Sequence, residues 1–146
     1  MTRKVGWEVA LTEYLESREN TQFIWGHHDC CTFACGALEV QGLSNPMRDV
    51  EPYDTRDGAV RALVRLGGSL DAAANRLASA VGLTEVAVGF AGRGCVVIAD
   101  ILSESSQTIE PHLGVVGTNG RHALFPGGKG LVRVPLNSCR RAWRSD

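Results

Sequence analysis

The chain has 146 residues, of which 44% are hydrophobic and 21% charged, with a formal net charge of −1; this is the balance of a soluble globular domain, not of a disordered or membrane-embedded chain. No apolar stretch approaches the roughly 20 residues of a spanning helix, which excludes membrane insertion, and near-neutral charge excludes nucleic acid as the main partner, because phosphate binding needs a clustered surplus of Lys and Arg. The five cysteines, odd in number and without framework spacing, suit a chain folded with reduced thiols in a cytoplasm.

A length of 146 residues predicts one domain, 1–146, with a core of ordinary size. Behind the two basic residues of Met1-Thr2-Arg3-Lys4-Val5-Gly6-Trp7 there is no apolar h-region, so no secretion signal is expected. Trp7, Ala10, Leu11, Tyr14, Leu15 and Arg18 recur at helical spacing and predict a first helix over Trp7–Glu19. Asn20 and Thr21 break it, and Gln22 to Gly26 leads in extended or turning form to His27-His28-Asp29. Asp29 is a good N-cap for a second helix over Cys30–Gln41, which Gly42 closes.

Two prolines, Pro46 and Pro52, mark a loop from Ser44 to Tyr53. A third helix, capped by Asp54 or Thr55, carries Ala59, Ala62, Leu63 and Leu66 on one face and ends at Gly67-Gly68. Ser69 caps a fourth, whose Leu70, Ala73, Ala74, Leu77 and Val81 keep the same period until Gly82. Beyond it the pattern becomes short β-branched runs between glycines, Val86–Val88, Cys95–Ala99, His112–Val116, His122–Phe125 and Leu131–Val134. Helices first and an antiparallel meander afterwards define an α+β domain, N-terminal helices packed on a C-terminal sheet. The basic group Arg140, Arg141 and Arg144 reads as a solvated face.

A thiol becomes a nucleophile when its pKa falls, and a helix N-terminus or a nearby imidazolium lowers it. Cys30 follows the predicted cap directly, where free backbone N–H groups favour the thiolate and can also receive a tetrahedral oxyanion. The alternative is a small buried helix residue, since free cysteine is among the most buried types. His112, opening a strand in Glu110-Pro111-His112-Leu113-Gly114, is the candidate base, and His122, opening the next strand, the candidate orienting group. Trp25, His28 and Asp29, just ahead of the thiol, are expected to contact substrate, with His27 and His28 at the mouth of the cleft. Cys31 lies about 100° round the turn from Cys30, so both cannot face one histidine. Cys35 and Cys139 read as packing.

His27, His28, Cys30, Cys31 and Cys35 are metal-binding residue types, yet no Cys-x-x-Cys pair and no second paired cluster accompanies them, so neither a metal nor another cofactor is expected. The glycine-rich Pro126 to Gly130 precedes a strand rather than a helix and reads as a turn, not a phosphate loop.

Phe23-Ile24-Trp25-Gly26-His27-His28-Asp29-Cys30 resembles the aromatic-x-aromatic-Gly and Asp-Cys signature of NlpC-type cell-wall peptidases, and His112-Leu113-Gly114-Val115-Val116 resembles their histidine-bearing strand. Phe33-Ala34 and the C-terminal Ala142-Trp143 are similar to features of the short phage-encoded branch, so the resemblance spans nearly the whole chain. It implies a papain-like fold with Cys30 as nucleophile and His112 as base, acting on amide bonds in peptidoglycan peptide stems. It further implies a tail-tip protein made in the host cytoplasm, carried in the virion and held by tail hub or tip proteins. Five positions depart from the family pattern: Cys31-Thr32 stand for Ser-Gly, Phe23 for a tyrosine, Cys95 for an aspartate, and Leu124 for the third polar group, with His122 two residues earlier. The departures at Phe23, Cys95 and Leu124 support an alternative, a tail-tip adaptor that keeps the fold without activity. A cytoplasmic thiol acyltransferase using the same dyad is a third reading.

Overall fold

The computed structural model describes residues 2–104 and 106–145. These form four α-helices, α1 Trp7–Arg18, α2 Cys30–Val40, α3 Arg56–Arg65 and α4 Leu70–Ala80, followed by six strands, β1 Thr84–Val86, β2 Val96–Leu102, β3 Ile109–Val116, β4 His122–Pro126, β5 Leu131–Pro135 and β6 Arg141–Arg144. Helices α2, α3 and α4 start where short polar side chains replace missing backbone acceptors, whereas α1 starts at Gly6 without a side-chain cap. Asp29 accepts from the Thr32 amide, Thr55 rather than Asp54 from that of Gly58, and Ser69 from that of Ala72. Among the described residues no helix is long and apolar enough to cross a membrane.

Every strand pairing is antiparallel, in the order β1-β6-β2-β3-β4-β5. The expected simple meander is therefore corrected at one flank, where β6 inserts between β1 and β2. Its consecutive residues Ala142 and Trp143 are 0% and 1% exposed because they face opposite sides of the sheet. The arginines around them are not a free solvated face: Arg140 bridges Asp71 and Asp100, and Arg141 bridges Asp71 and Glu85. The strand expected at Val86–Val88 lies earlier, at Thr84–Val86, and Val88–Phe90 is a 3₁₀ turn.

The alternation of strand side chains divides the interior in two. On one face Val96, Ile98, Leu113, Val115, Leu124 and Trp143 pack with Leu11 and Leu15 of α1 and with Phe33, Ala34, Ala37 and Leu38 of α2. On the other, Val97, Ala99, Val116, Ala123, Phe125 and Ala142 meet Cys95 and Cys139. Tyr14 ties α1 to α2 by donating its hydroxyl to the Phe33 carbonyl at 2.8 Å. This packing seats the first turn of α2 against β3.

Candidate active site

The approach to α2 is a tight turn. The Ile24 carbonyl accepts from the amides of His27 and His28, the Ile24 amide donates back to the His28 carbonyl, and Gly26 takes the left-handed conformation at φ 81°. No Cβ fits at Gly26, because the carbonyl of Tyr53 lies in its place. The turn delivers Asp29, whose carboxylate accepts from the amides of Thr32 at 2.8 Å and Gly26 at 2.9 Å and from the hydroxyl of Tyr53 at 2.6 Å. The Thr32 hydroxyl accepts the Asp29 amide in return at 2.9 Å, completing a capping box. Three donors on a carboxylate that is 1% exposed make Asp29 the fixture that starts the helix. Asp29 borders the cavity, as expected of a substrate contact, but its carboxylate is largely engaged in holding the start of the helix.

Cys30 is the first residue of α2, and its thiol lies below the ordinary cysteine range. The largest cause is a hydrogen bond from the Cys31 thiol, with further donation from the backbone amides of Leu113 and Cys31, against the opposing effects of burial and the Asp29 charge. Cys31 moves the other way, well above the ordinary range, because it donates to Cys30 and is itself buried. Both side chains border the same cavity, so Cys31 joins the site rather than turning away from it. By contrast, burial pushes Cys35 up to about 12 and Cys139 up to about 11.

The Leu113 amide that reaches Cys30 belongs to the residue after His112, and Cys30, Cys31, Trp25, Asp29, Tyr53 and His112 all line one cavity of about 780 Å³. His112 is the fourth residue of β3 rather than its first, because β2 and β3 extend as a ladder out to Leu102 and Ile109. Its ring Nδ1 lies 2.8 Å from the carbonyl of Glu110. In the tautomer that donates there, Nε2 is left without a proton, which is the form a general base needs.

His122 is elsewhere. The register that sets Val115 opposite Leu124 and Val116 opposite Ala123 puts His122 beside Gly117, whose amide donates to the His122 carbonyl at 2.8 Å. Five residues of strand, roughly 17 Å at about 3.4 Å per residue, separate that point from His112. The expected orienting role of His122 is therefore corrected: the Glu110 carbonyl holds the His112 ring, and His122 closes its own turn through Asn119, 3.0 Å from Nδ1. His28 is corrected as well. It is 2% exposed, edge-on to Phe33, and burial and the Arg18 charge lower its pKa, so it is a core histidine rather than a contact at the cleft mouth. Trp25 does reach the cavity, braced edge-to-face on Phe23 with ring centroids 4.7 Å apart.

The sequence motifs resemble one family, and the sequence as a whole matches another. A family model described as a domain of unknown function, DUF6950, matches residues 2–145. The chain belongs to the DUF6950 family. No curated protein and no solved structure matches it.

In this DUF6950 chain the residue that sequence reasoning missed is Tyr53. It stands 24 positions from Asp29 in a proline-marked loop, and burial followed by its hydrogen bond to Asp29 raises its pKa, so its hydroxyl stays protonated and donates. Leu124, in the place of the third polar group, is buried in the helix-side core. Among the described residues no group of three or more His, Cys, Asp or Glu side chains gathers to hold a metal ion.

Proposed function

We propose that this chain is a cysteine-dependent amide hydrolase with the NlpC-type papain-like arrangement, Cys30 its nucleophile and His112 its general base. The observation that carries the proposal is the Cys30 thiol, at the N-terminus of α2, lowered in pKa, and opening into a 780 Å³ cavity that His112 also lines. Cys30 Sγ attacks the amide carbonyl, and the backbone N–H of Cys30 at the start of α2 stabilises the oxyanion. His112 Nε2 carries the proton from the thiol to the leaving amine, and water then releases the acyl group from sulfur. Resemblance to the phage-encoded NlpC branch supplies the expected setting: peptide stems of peptidoglycan as substrate, tail hub or tip proteins as partners, and the virion as location.

A second reading is favoured by a specific observation. The third polar group of the family pattern is replaced by Leu124, which is buried in the helix-side core, and this suits a tail-tip adaptor that keeps the fold without turnover. Purified protein separates the two. An enzyme releases peptide fragments from purified peptidoglycan and loses at least about 100-fold of that rate in Cys30→Ser, which changes one atom and little volume. Brief iodoacetamide labelling near neutral pH should modify Cys30 ahead of Cys31, Cys35, Cys95 and Cys139. No release by the wild type, together with slow labelling of Cys30, would leave the adaptor.

A further inference from the structure

The cavity beside Cys30 is polar at one end and aliphatic along most of its length. Leu63 of α3, Leu70 and Leu77 of α4, and Ile101 and Leu102 of β2 form its walls, and Val60 of α3 stands at its rim. Val60 and Leu102 are 46% and 57% exposed, large apolar side chains held at the surface on opposite sides of one opening. Of the charged lining groups, Arg56 and Glu104 are exposed, Glu110 is half-buried and Asp29 is buried next to Cys30, so charge gathers at the mouth and at the Cys30–His112 end. At about 780 Å³ the space falls within the roughly 300–1,000 Å³ of ordinary ligand pockets. Water in an aliphatic space of that size forgoes hydrogen bonds, whereas an alkyl chain gains contact with every wall.

We infer that the substrate of Cys30 carries an aliphatic acyl group, which lies between α3, α4 and the outer end of the β2–β3 hairpin with its carbonyl carbon at the sulfur. The inference rests on the reading of Cys30 as a nucleophile. It goes beyond the peptide-stem setting supplied by the resemblance, because the acyl half of the substrate is taken as aliphatic and not peptidyl. In the transfer step the sulfur–carbon bond forms as the bond from carbonyl carbon to leaving group breaks, the leaving group keeps the electron pair, and nothing is oxidised or reduced.

4-Nitrophenyl acetate and 4-nitrophenyl octanoate, each below its aggregation limit, test this on the full chain by intact mass and nitrophenolate release in single turnover. Both donors leave the same nitrophenolate, so only the acyl chain differs. Each buried methylene is worth about a fourfold gain, and partial burial of six should make octanoate acylate Cys30 at least about 30-fold faster than acetate, after division by the rates of a small free thiol. Val60→Asp and Leu102→Asp, at positions exposed enough to accept a carboxylate, should each cut that ratio by at least about tenfold. Equal corrected rates for the two esters, or a ratio unmoved in both variants, would overturn the inference while leaving Cys30 a nucleophile. Failure of both esters to acylate a thiol that iodoacetamide still labels would overturn the nucleophile reading and the inference together.

Discussion

At its inner end β3 is held from both sides, with Val115 and Val116 opposite Leu124 and Ala123 of β4 and the preceding ladder to β2 unbroken, whereas at its outer end His112 lies opposite Ala99 of β2 and borders the cavity. The inner end continues into a turn closed by Asn119, whose side-chain Oδ1 accepts from the amides of Arg121 and His122 at 2.8 and 3.1 Å. Hydrogen bonding at that end fixes register. At the outer end the second neighbour falls away, and a ring held by Glu110 reaches open space beside a thiol. Two histidines ten residues apart on one hairpin therefore have different work: His122 belongs to the turn and His112 to the cavity.

The largest expected effect breaks or keeps that distinction directly. His112→Ala should lower Cys30-dependent acylation or hydrolysis by about 10²–10⁴-fold, the range of a lost general base. His122→Ala should change it by less than about twofold. Rate measurements on the two purified variants decide, and equal losses would return His122 to the site against the register observed here.

Next in size is a pair of glycine substitutions on the same hairpin. A Cβ at Gly114 would meet the Leu124 carbonyl and the Phe125 ring at 2.5 Å, and since one of these is backbone, β4 itself must shift. Gly114→Ala should cost about 2–3 kcal/mol. A Cβ at Gly117 meets nothing nearer than the His122 carbonyl at 3.4 Å, so Gly117→Ala should cost less than about 1 kcal/mol. Urea midpoints of the two variants would show whether β3 is tight against β4 at Gly114 and slack at Gly117, where the turn begins.

Much of this architecture is written locally. Asp29, Thr55 and Ser69 announce their helices because a cap works through its own next three residues, and the position of Cys30 at a helix start follows from that alone. Register is not local in the same sense. His122 and His112 open or occupy neighbouring strands as expected, but only the length of the Gly117 to Gly120 turn decides which residues meet. Tyr53 was illegible because its partner is 24 residues away, and the Leu113 amide because any backbone amide looks alike in a sequence. Strand β6 was hidden by its charges: arginines that look solvated alone become strand residues once Asp71, Asp100 and Glu85 surround them.

The smallest effect concerns that same clasp, on the flank of the sheet away from β4. Arg140 donates to both carboxylate oxygens of Asp71 at 2.7 and 2.8 Å, and Arg141 donates to one of them at 3.1 Å. The Arg140 hydrogen bonds first, and Arg141 after them, hold the Asp71 carboxyl down at about 2. An unfolded aspartate titrates near 3.9, so between about pH 4 and pH 2 the unfolded chain binds more protons, and stability rises with pH across that window. The contribution is complete above about pH 5 and is lost as pH falls through about 2. A shift of nearly two units corresponds to about 2.5 kcal/mol at most, and with the Asp71 side chain 28% exposed screening reduces this to about 1 kcal/mol. Asp71→Asn should therefore lower the unfolding free energy by about 1 kcal/mol at pH 7 and pH 5, by less at pH 3, and by almost nothing at pH 2. Denaturant titrations of both proteins at those four pH values check the sign as well as the size. A deficit that stays constant with pH would assign the clasp to side-chain shape rather than charge, and β6 would then be held by Ala142 and Trp143 in the two cores, as β3 is held at its inner end by Val115 and Val116.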